Sequence, residues 1–124
     1  MVTPPAVAVF AGDNVLLTCT TNTFVTSWTR GIAINNSSLV FQAANSVGLN
    51  PLPRIVVDGY LVNDSVAGQV VLSMNSASTG QADRYYCSCY SSPPSYAATS
   101  VIVLGKWKLQ KQVGLYRPCG TDMS

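Results

Sequence analysis

The chain has 124 residues, with 7 Lys and Arg against 5 acidic residues, all of them Asp, and no His. Charged residues make up 10% of it, against about 25% in an average soluble protein, so neutral hydroxyls and amides carry the polar surface. The lack of His excludes a Ser-His-Asp triad, a His general base and any His-containing zinc site, and no apolar run approaches the ~18 residues of a membrane-spanning helix. Enzyme is therefore the least favoured class, and no cofactor, metal or nucleic-acid partner is expected.

Val alone supplies 16 residues, and β-branched and aromatic residues together a third of the chain. Such a composition predicts an all-β domain. In chain order, Ala6–Phe10 alternates after Pro4-Pro5, as an edge strand does. Gly12-Asp13 turns the chain, and Val15, Leu17 and Cys19 then share one strand face. The next strand, Val25–Arg30, runs around Trp28. Turn-rich Ile34–Ser38 leads into Leu39–Gln42, and Asn50-Pro51-Leu52-Pro53 reads as a loop. Ile55–Val57 and Tyr60–Val62 flank the Asp58-Gly59 turn. Val70, Leu72 and Met74 share a face in Gln69–Asn75, as do Tyr85, Cys87 and Cys89. Ser91–Ser95 is a tight hairpin tip, and Thr99–Leu104 the last strand. Short strands at this spacing describe a sandwich.

Charge divides the chain. Residues 1–104 hold Arg30, Arg54 and Arg84 against Asp13, Asp58, Asp64 and Asp83, a sum of −1. Residues 105–124 hold Lys106, Lys108, Lys111 and Arg117 against Asp122, a sum of +3 and every Lys of the protein. The globular body is placed at 1–104. The basic tail, 105–124, is read as a linker, a strand extension or an anion-binding patch around Lys106-Trp107-Lys108.

No pair among Cys19, Cys87, Cys89 and Cys119 has zinc-ribbon spacing. Sequons for N-glycosylation stand at Asn35, Asn36 and Asn63. With few charges and an even number of cysteines, they favour an oxidising, extracellular setting. Met1–Phe10 has no basic region and is broken by two prolines, so it is not read as a secretory leader. The expectation is a fragment of a secreted or surface protein whose parent is membrane-anchored.

The spacings resemble the immunoglobulin variable-type (V-set) domain from about Val7 to Leu104. Gly12, Val15, Leu17 and Cys19 are similar to the family's G-x-x-V-x-L-x-C, and Trp28 lies nine residues on. Leu39-Val40-Phe41 begins eleven residues after Trp28, like the L-L-I of light-chain variable domains. Leu72, Met74 and Ala77 stand 15, 13 and 10 residues before Cys87, as in L-x-I-x-x-L. Tyr85 occupies the tyrosine-corner position, and Thr99–Val103 resembles the closing strand. The resemblance implies a two-sheet antiparallel sandwich, a Cys19–Cys87 disulfide, and a core on Trp28, Leu72 and Tyr85. Where the family has Asp, six before the second cysteine, this chain has Gln81. The usual Arg–Asp pair is therefore not expected, with Arg54 and Asp83 as possible partners instead. Ser95-Tyr96-Ala97-Ala98 replaces the Phe-Gly-x-Gly bulge, and Gly31 replaces the glutamine of antibody chain pairing.

By the same resemblance, recognition is expected at the loop Tyr90-Ser91-Ser92-Pro93-Pro94-Ser95-Tyr96, with Phe24 at the same end of the sandwich. Prolines lower the entropy lost on binding, and tyrosines give rigid contact area; the competing reading is a plain proline-stiffened hairpin. Arg30, Leu39, Phe41 and Gln42 are candidates for a flat homodimer face. Cys89 is read as a buried thiol, a partner of Cys119, or part of a dimer contact. Cys119 is a candidate link between two copies. The functional expectation is a recognition domain of an immune-type receptor that binds a protein ligand or itself. The alternatives are a homophilic adhesion domain and a secreted lectin-like domain.

Overall fold

The computed structural model describes residues 3–47 and 50–105. Its strands are β1 (Ala6–Phe10), β2 (Val15–Thr20), β3 (Val25–Ala33), β4 (Asn36–Gln42), β5 (Asn45–Val47) and β6 (Asn50–Leu52). They continue as β7 (Ile55–Val56), β8 (Leu61–Asn63), β9 (Gln69–Met74), β10 (Asp83–Cys89) and β11 (Ser95–Leu104), with one short 3-10 turn at Thr79–Gln81. A front sheet runs β1-β11-β10-β3-β4-β7 and a back sheet β2-β9-β8, while β5 and β6 pair separately. β1 joins the front sheet parallel to β11.

Period-two alternation sets which residues meet between the sheets. In the back sheet, Leu17 lies opposite Leu72, Val15 opposite Met74 and Cys19 opposite Val70. All six are buried. The front sheet answers with Val25, Trp28, Tyr85, Cys87, Val101 and Val103. Cys19 and Cys87 are joined by a disulfide across the sandwich, and Trp28 stands beside Cys87 in register. Closing a loop of this length contributes roughly 3–5 kcal/mol in the chain-entropy model.

Two adjacent residues of β4, Val40 and Phe41, are both buried. Trp28 pairs with Phe41 but Thr29 with Leu39, so Val40 is the extra residue of a bulge, which turns both side chains inward. This corrects the expectation of Phe41 on an exposed dimer face: it is 0% exposed and belongs to the core. Leu39 and Gln42 stay half-buried, and the Gln42 side-chain amide donates to the Pro53 carbonyl at 2.9 Å.

A directed chain of hydrogen bonds closes the end of the sandwich away from the β10–β11 hairpin tip. The Tyr85 hydroxyl donates to the Gln81 carbonyl at 2.7 Å. It accepts from Tyr60 at 2.7 Å, whose oxygen in turn accepts from Arg30 Nη1 at 2.6 Å. Arg30 Nε meets Asp83 Oδ2 at 2.9 Å, and Nη2 donates to the Gly80 carbonyl at 2.6 Å. Arg30 is thus spent within the domain and not offered to a partner. Arg54 pairs with Asp64 at 3.1 Å, not with Asp83. Gln81 fills the place of the missing Asp by donating from its side chain to the Gly59 carbonyl at 2.9 Å.

Several boundaries differ from the sequence reading, among them three set by strand pairing. Asn50–Leu52 is paired as β6, not loop, with Pro51 opposite Ser46; a proline is tolerated because β6 is an edge. The β3–β4 turn is only Ile34-Asn35, since β4 begins at Asn36 opposite Ala33. β11 begins at Ser95, and its register with β10 is unbroken from Cys89↔Ser95 to Asp83↔Val101. Without the glycine bulge, nothing interrupts that ladder.

Candidate functional site

The loop end is built where β2 hands over to β3, where β8 hands over to β9, and at the tip between β10 and β11. The backbone N–H of Tyr90 donates to the Phe24 carbonyl at 3.0 Å, tying two of these loops together. That bond brings the Phe24 and Tyr90 rings into a stack, 5.1 Å between centroids and 10° between planes. Phe24 is 39% and Tyr90 55% exposed. Together they form an aromatic ledge, not a plug in the sandwich end.

Tyr96 leaves the same hairpin on the outer side and is half-exposed. Its ring meets Tyr86 edge to face at 5.7 Å. Between the tyrosines, the tip is pinned by hydroxyls. Ser91 Oγ donates to the Pro93 carbonyl at 2.8 Å and lies 3.1 Å from Ser95 Oγ. The Ser92-Pro93 peptide is cis; Ser92, Pro93 and Pro94 are exposed.

Cys89 lies beneath this tip as a buried free thiol. Its sulfur is 3.2 Å from Ser95 Oγ and 3.9 Å from Ser91 Oγ. Burial pushes the thiol up, but the hydroxyls of Ser95, Thr21, Ser91 and Thr23 outweigh it and leave the net shift downward. Hydroxyl donors favour the thiolate directly. Cys89 shares the inward face of Tyr85 and Cys87, so it does not stand on the outer face of the front sheet as a dimer contact. Cys119, its candidate partner, lies outside the described residues.

Beside the ledge is a groove of about 470 Å³ lined by Phe24, Val25, Ala43, Val66, Gly68 and Val70, with Asp64 among its walls. Sequence reasoning missed it, although Val66-Ala67-Gly68 carried a signal. Gly68 has φ +72, and a Cβ there would sit 2.6 Å from the Thr21 carbonyl. Glycine lets this loop close against β2, where the Thr21 N–H donates to the Gly68 carbonyl at 2.8 Å.

The outer face of the front sheet is a second surface. Trp28, Tyr85 and Cys87 point inward, so Thr29, Tyr86 and Ser88 point out. Tyr86 is only 2% exposed, covered by Tyr96, and Arg84 lies over its ring at 5.9 Å. Its hydroxyl donates to the Gly31 carbonyl at 3.1 Å. Gly31 has φ +153, and a Cβ there would lie 2.6 Å from the Asn36 carbonyl. The bulged approach of β4 thus excludes the glutamine that antibody chains use at this position. Thr29 Oγ1 is buried with no hydrogen-bond partner among the described residues.

The three sequons fall in two places. Asn35 and Asn36 lie at the β3–β4 turn, at the opposite end of β3 from Phe24, and Asn63 closes β8. All three side chains are exposed.

No protein-family model matches the chain, and no curated protein matches its sequence. Among solved structures, that of a chicken TCR (T-cell receptor) is similar, with a TM-score of 0.66 and 21% identity. The match covers 84% of this chain and 49% of that one, so the chain spans about half the length of that receptor chain. A likeness at this identity establishes fold. With the inter-sheet disulfide, the tyrosine corner and the strand order, it makes this chain a V-type immunoglobulin-like β-sandwich.

Proposed function

We propose that the chain is an extracellular recognition domain of an immune-type receptor, and that it engages a protein ligand through the loop end. The observation that carries this reading is the Phe24–Tyr90 stack, held by a backbone bond between two loops and open to solvent. Aromatic side chains fixed before contact lose little entropy on binding and dominate interface energetics. The hydroxyl-pinned, two-proline tip supports the same reading, because an ordered loop costs less to bind. The inter-sheet disulfide and the fold are consistent with an extracellular domain.

The test is a screen of the multimerised domain against an array of extracellular proteins, followed by variants. Phe24→Ala and Tyr90→Ala should each weaken a specific interaction at least tenfold, about 1.4 kcal/mol, as hot-spot residues do. Ile102→Ser, on β11 away from the tip, should leave it intact. Binding unaffected by both aromatic variants would move the site elsewhere.

A second reading, homophilic association through the front sheet, rests on a specific observation. The Thr29–Tyr86 region holds a buried hydroxyl without a partner among the described residues, and beside it stands half-exposed Tyr96, a residue type enriched in interfaces. Its contact residues would be Leu39, Gln42 and Tyr96, with Arg30 and Phe41 no longer among them. Lectin-like binding gains no support from an observation here.

A further inference from the structure

The back sheet leaves an apolar stripe open. On its outer face, Leu16, Ser73 and Leu61 form one cross-strand row, and Thr18, Val71 and Asn63 form the next. Leu16 is 65% and Leu61 56% exposed. No charged residue stands in either row, and among the described residues β8 pairs with no strand but β9; its other edge is met only by the Arg54 side chain, whose Nη2 donates to the Val62 carbonyl at 3.4 Å. An uncharged, leucine-bearing sheet face open to solvent invites association unless something covers it.

Asn63 is the residue placed to cover it. It ends β8 on the same outer face as Leu61 and begins the sequon Asn63-Asp64-Ser65. Its Oδ1 accepts from the Ser65 N–H at 3.1 Å and from the Ser65 hydroxyl at 2.7 Å. Both bonds hold the amide oxygen toward Ser65 and leave Nδ2 without a bond to any described residue. The middle residue of the sequon is restrained as well. Arg54 Nε and Nη2 bond the two oxygens of Asp64 at 3.1 and 3.4 Å, so its charge is spent on Arg54 and not on the neighbouring amide. The Asn35 sequon lacks this arrangement, since its Ser37 hydroxyl donates to the Ile34 carbonyl at 2.6 Å.

We propose that Asn63 carries an N-linked glycan whose first sugars lie over the Leu16–Leu61 stripe and mask the back sheet. The inference rests on the extracellular reading above. In the transfer, Nδ2 attacks the anomeric carbon of an oligosaccharide borne on a lipid pyrophosphate. A C–N bond forms, the C–O bond to the pyrophosphate breaks, the lipid pyrophosphate leaves with the electron pair, and the amide gives up one proton. A sugar at Asn63 faces away from the Thr29–Tyr86 surface, so front-sheet contacts stay open.

The experiment is secretion of the full chain from eukaryotic cells, with peptide mass mapping after glycosidase release in heavy-oxygen water. The readouts are binding of the apolar dye ANS and self-association before and after release. The expected result is a glycan on Asn63, a several-fold rise in dye binding on its removal, and suppression of that rise by Leu16→Thr with Leu61→Thr. Ser65→Thr should keep the glycan and Asn63→Gln should copy enzymatic release. The pair Asn35→Gln and Asn36→Gln should leave dye binding unchanged. Secreted, oxidised protein with bare Asn63, or release without a rise in dye binding, overturns this inference alone. Retention in the cell with Cys19 and Cys87 reduced overturns the extracellular reading and this proposal with it.

Discussion

Tyr85 shows how one side chain serves both packing and polar closure. Its ring is fully buried, yet its hydroxyl both accepts from Tyr60 and donates to Gln81. Burial first, and the hydrogen bond from Tyr60 next, push its ionisation far above that of a free tyrosine. In the unfolded chain the group ionises near pH 10, so above that pH the folded state holds the extra proton. Stability from Tyr85 is therefore complete below about pH 10 and is lost as pH rises toward the folded value. Tyr85→Phe should cost about 1–3 kcal/mol at neutral pH by stranding two partners. It should also flatten the alkaline slope, read as melting temperature between pH 8 and 11. A slope as steep as the wild type's would show that another group sets alkaline stability. The sequence marked Tyr85 through its place two residues before Cys87. The Arg30–Tyr60 part of the network was not legible, because it joins residues 30 apart through a turn whose geometry no local pattern states.

Among the elements, those fixed by alternation were readable and those fixed by partners were not. β2 and β9 each place an apolar residue at every second position, and that rhythm alone gives their inward faces. β4 breaks the rhythm, because its bulge against β3 turns Val40 and Phe41 the same way. A single strand carries no signal for an insertion that only its neighbour defines. Likewise β6 becomes a strand by pairing with β5 despite Pro51. The loop end was legible as composition, Tyr-Ser-Ser-Pro-Pro-Ser-Tyr, but not as contact. The Phe24–Tyr90 stack depends on a backbone bond between residues 66 positions apart. At this scale Gly68 is the sharpest test. Gly68→Ala combines a positive φ with a Cβ 2.6 Å from a carbonyl, so it should destabilise by more than ~1 kcal/mol. Urea unfolding reads the loss, and a neutral result would mean that the β8–β9 loop relaxes away from β2.

For the whole molecule, the buried position of Phe41 separates folding from association. Phe41→Asp places an unpaired charge in the core and should unfold the domain, at a cost above ~3 kcal/mol. Leu39→Asp sits on the outer face and should leave the fold intact. If copies pair through the front sheet, sedimentation of Leu39→Asp should show a monomer with a wild-type melting temperature. A dimer that survives Leu39→Asp would rule that face out. The order of the strands has a further consequence, for behaviour under load. β1 and β11 run side by side in the same direction, matched at five positions from Ala6↔Ser100 to Phe10↔Leu104. Tension applied at the two ends of the sandwich pulls these strands past each other lengthwise. The bonds between them must therefore yield together and not peel one at a time. Behind them the Cys19–Cys87 link locks a span of 68 positions against extension. A domain wired in this way holds its loop end in shape while it is being pulled.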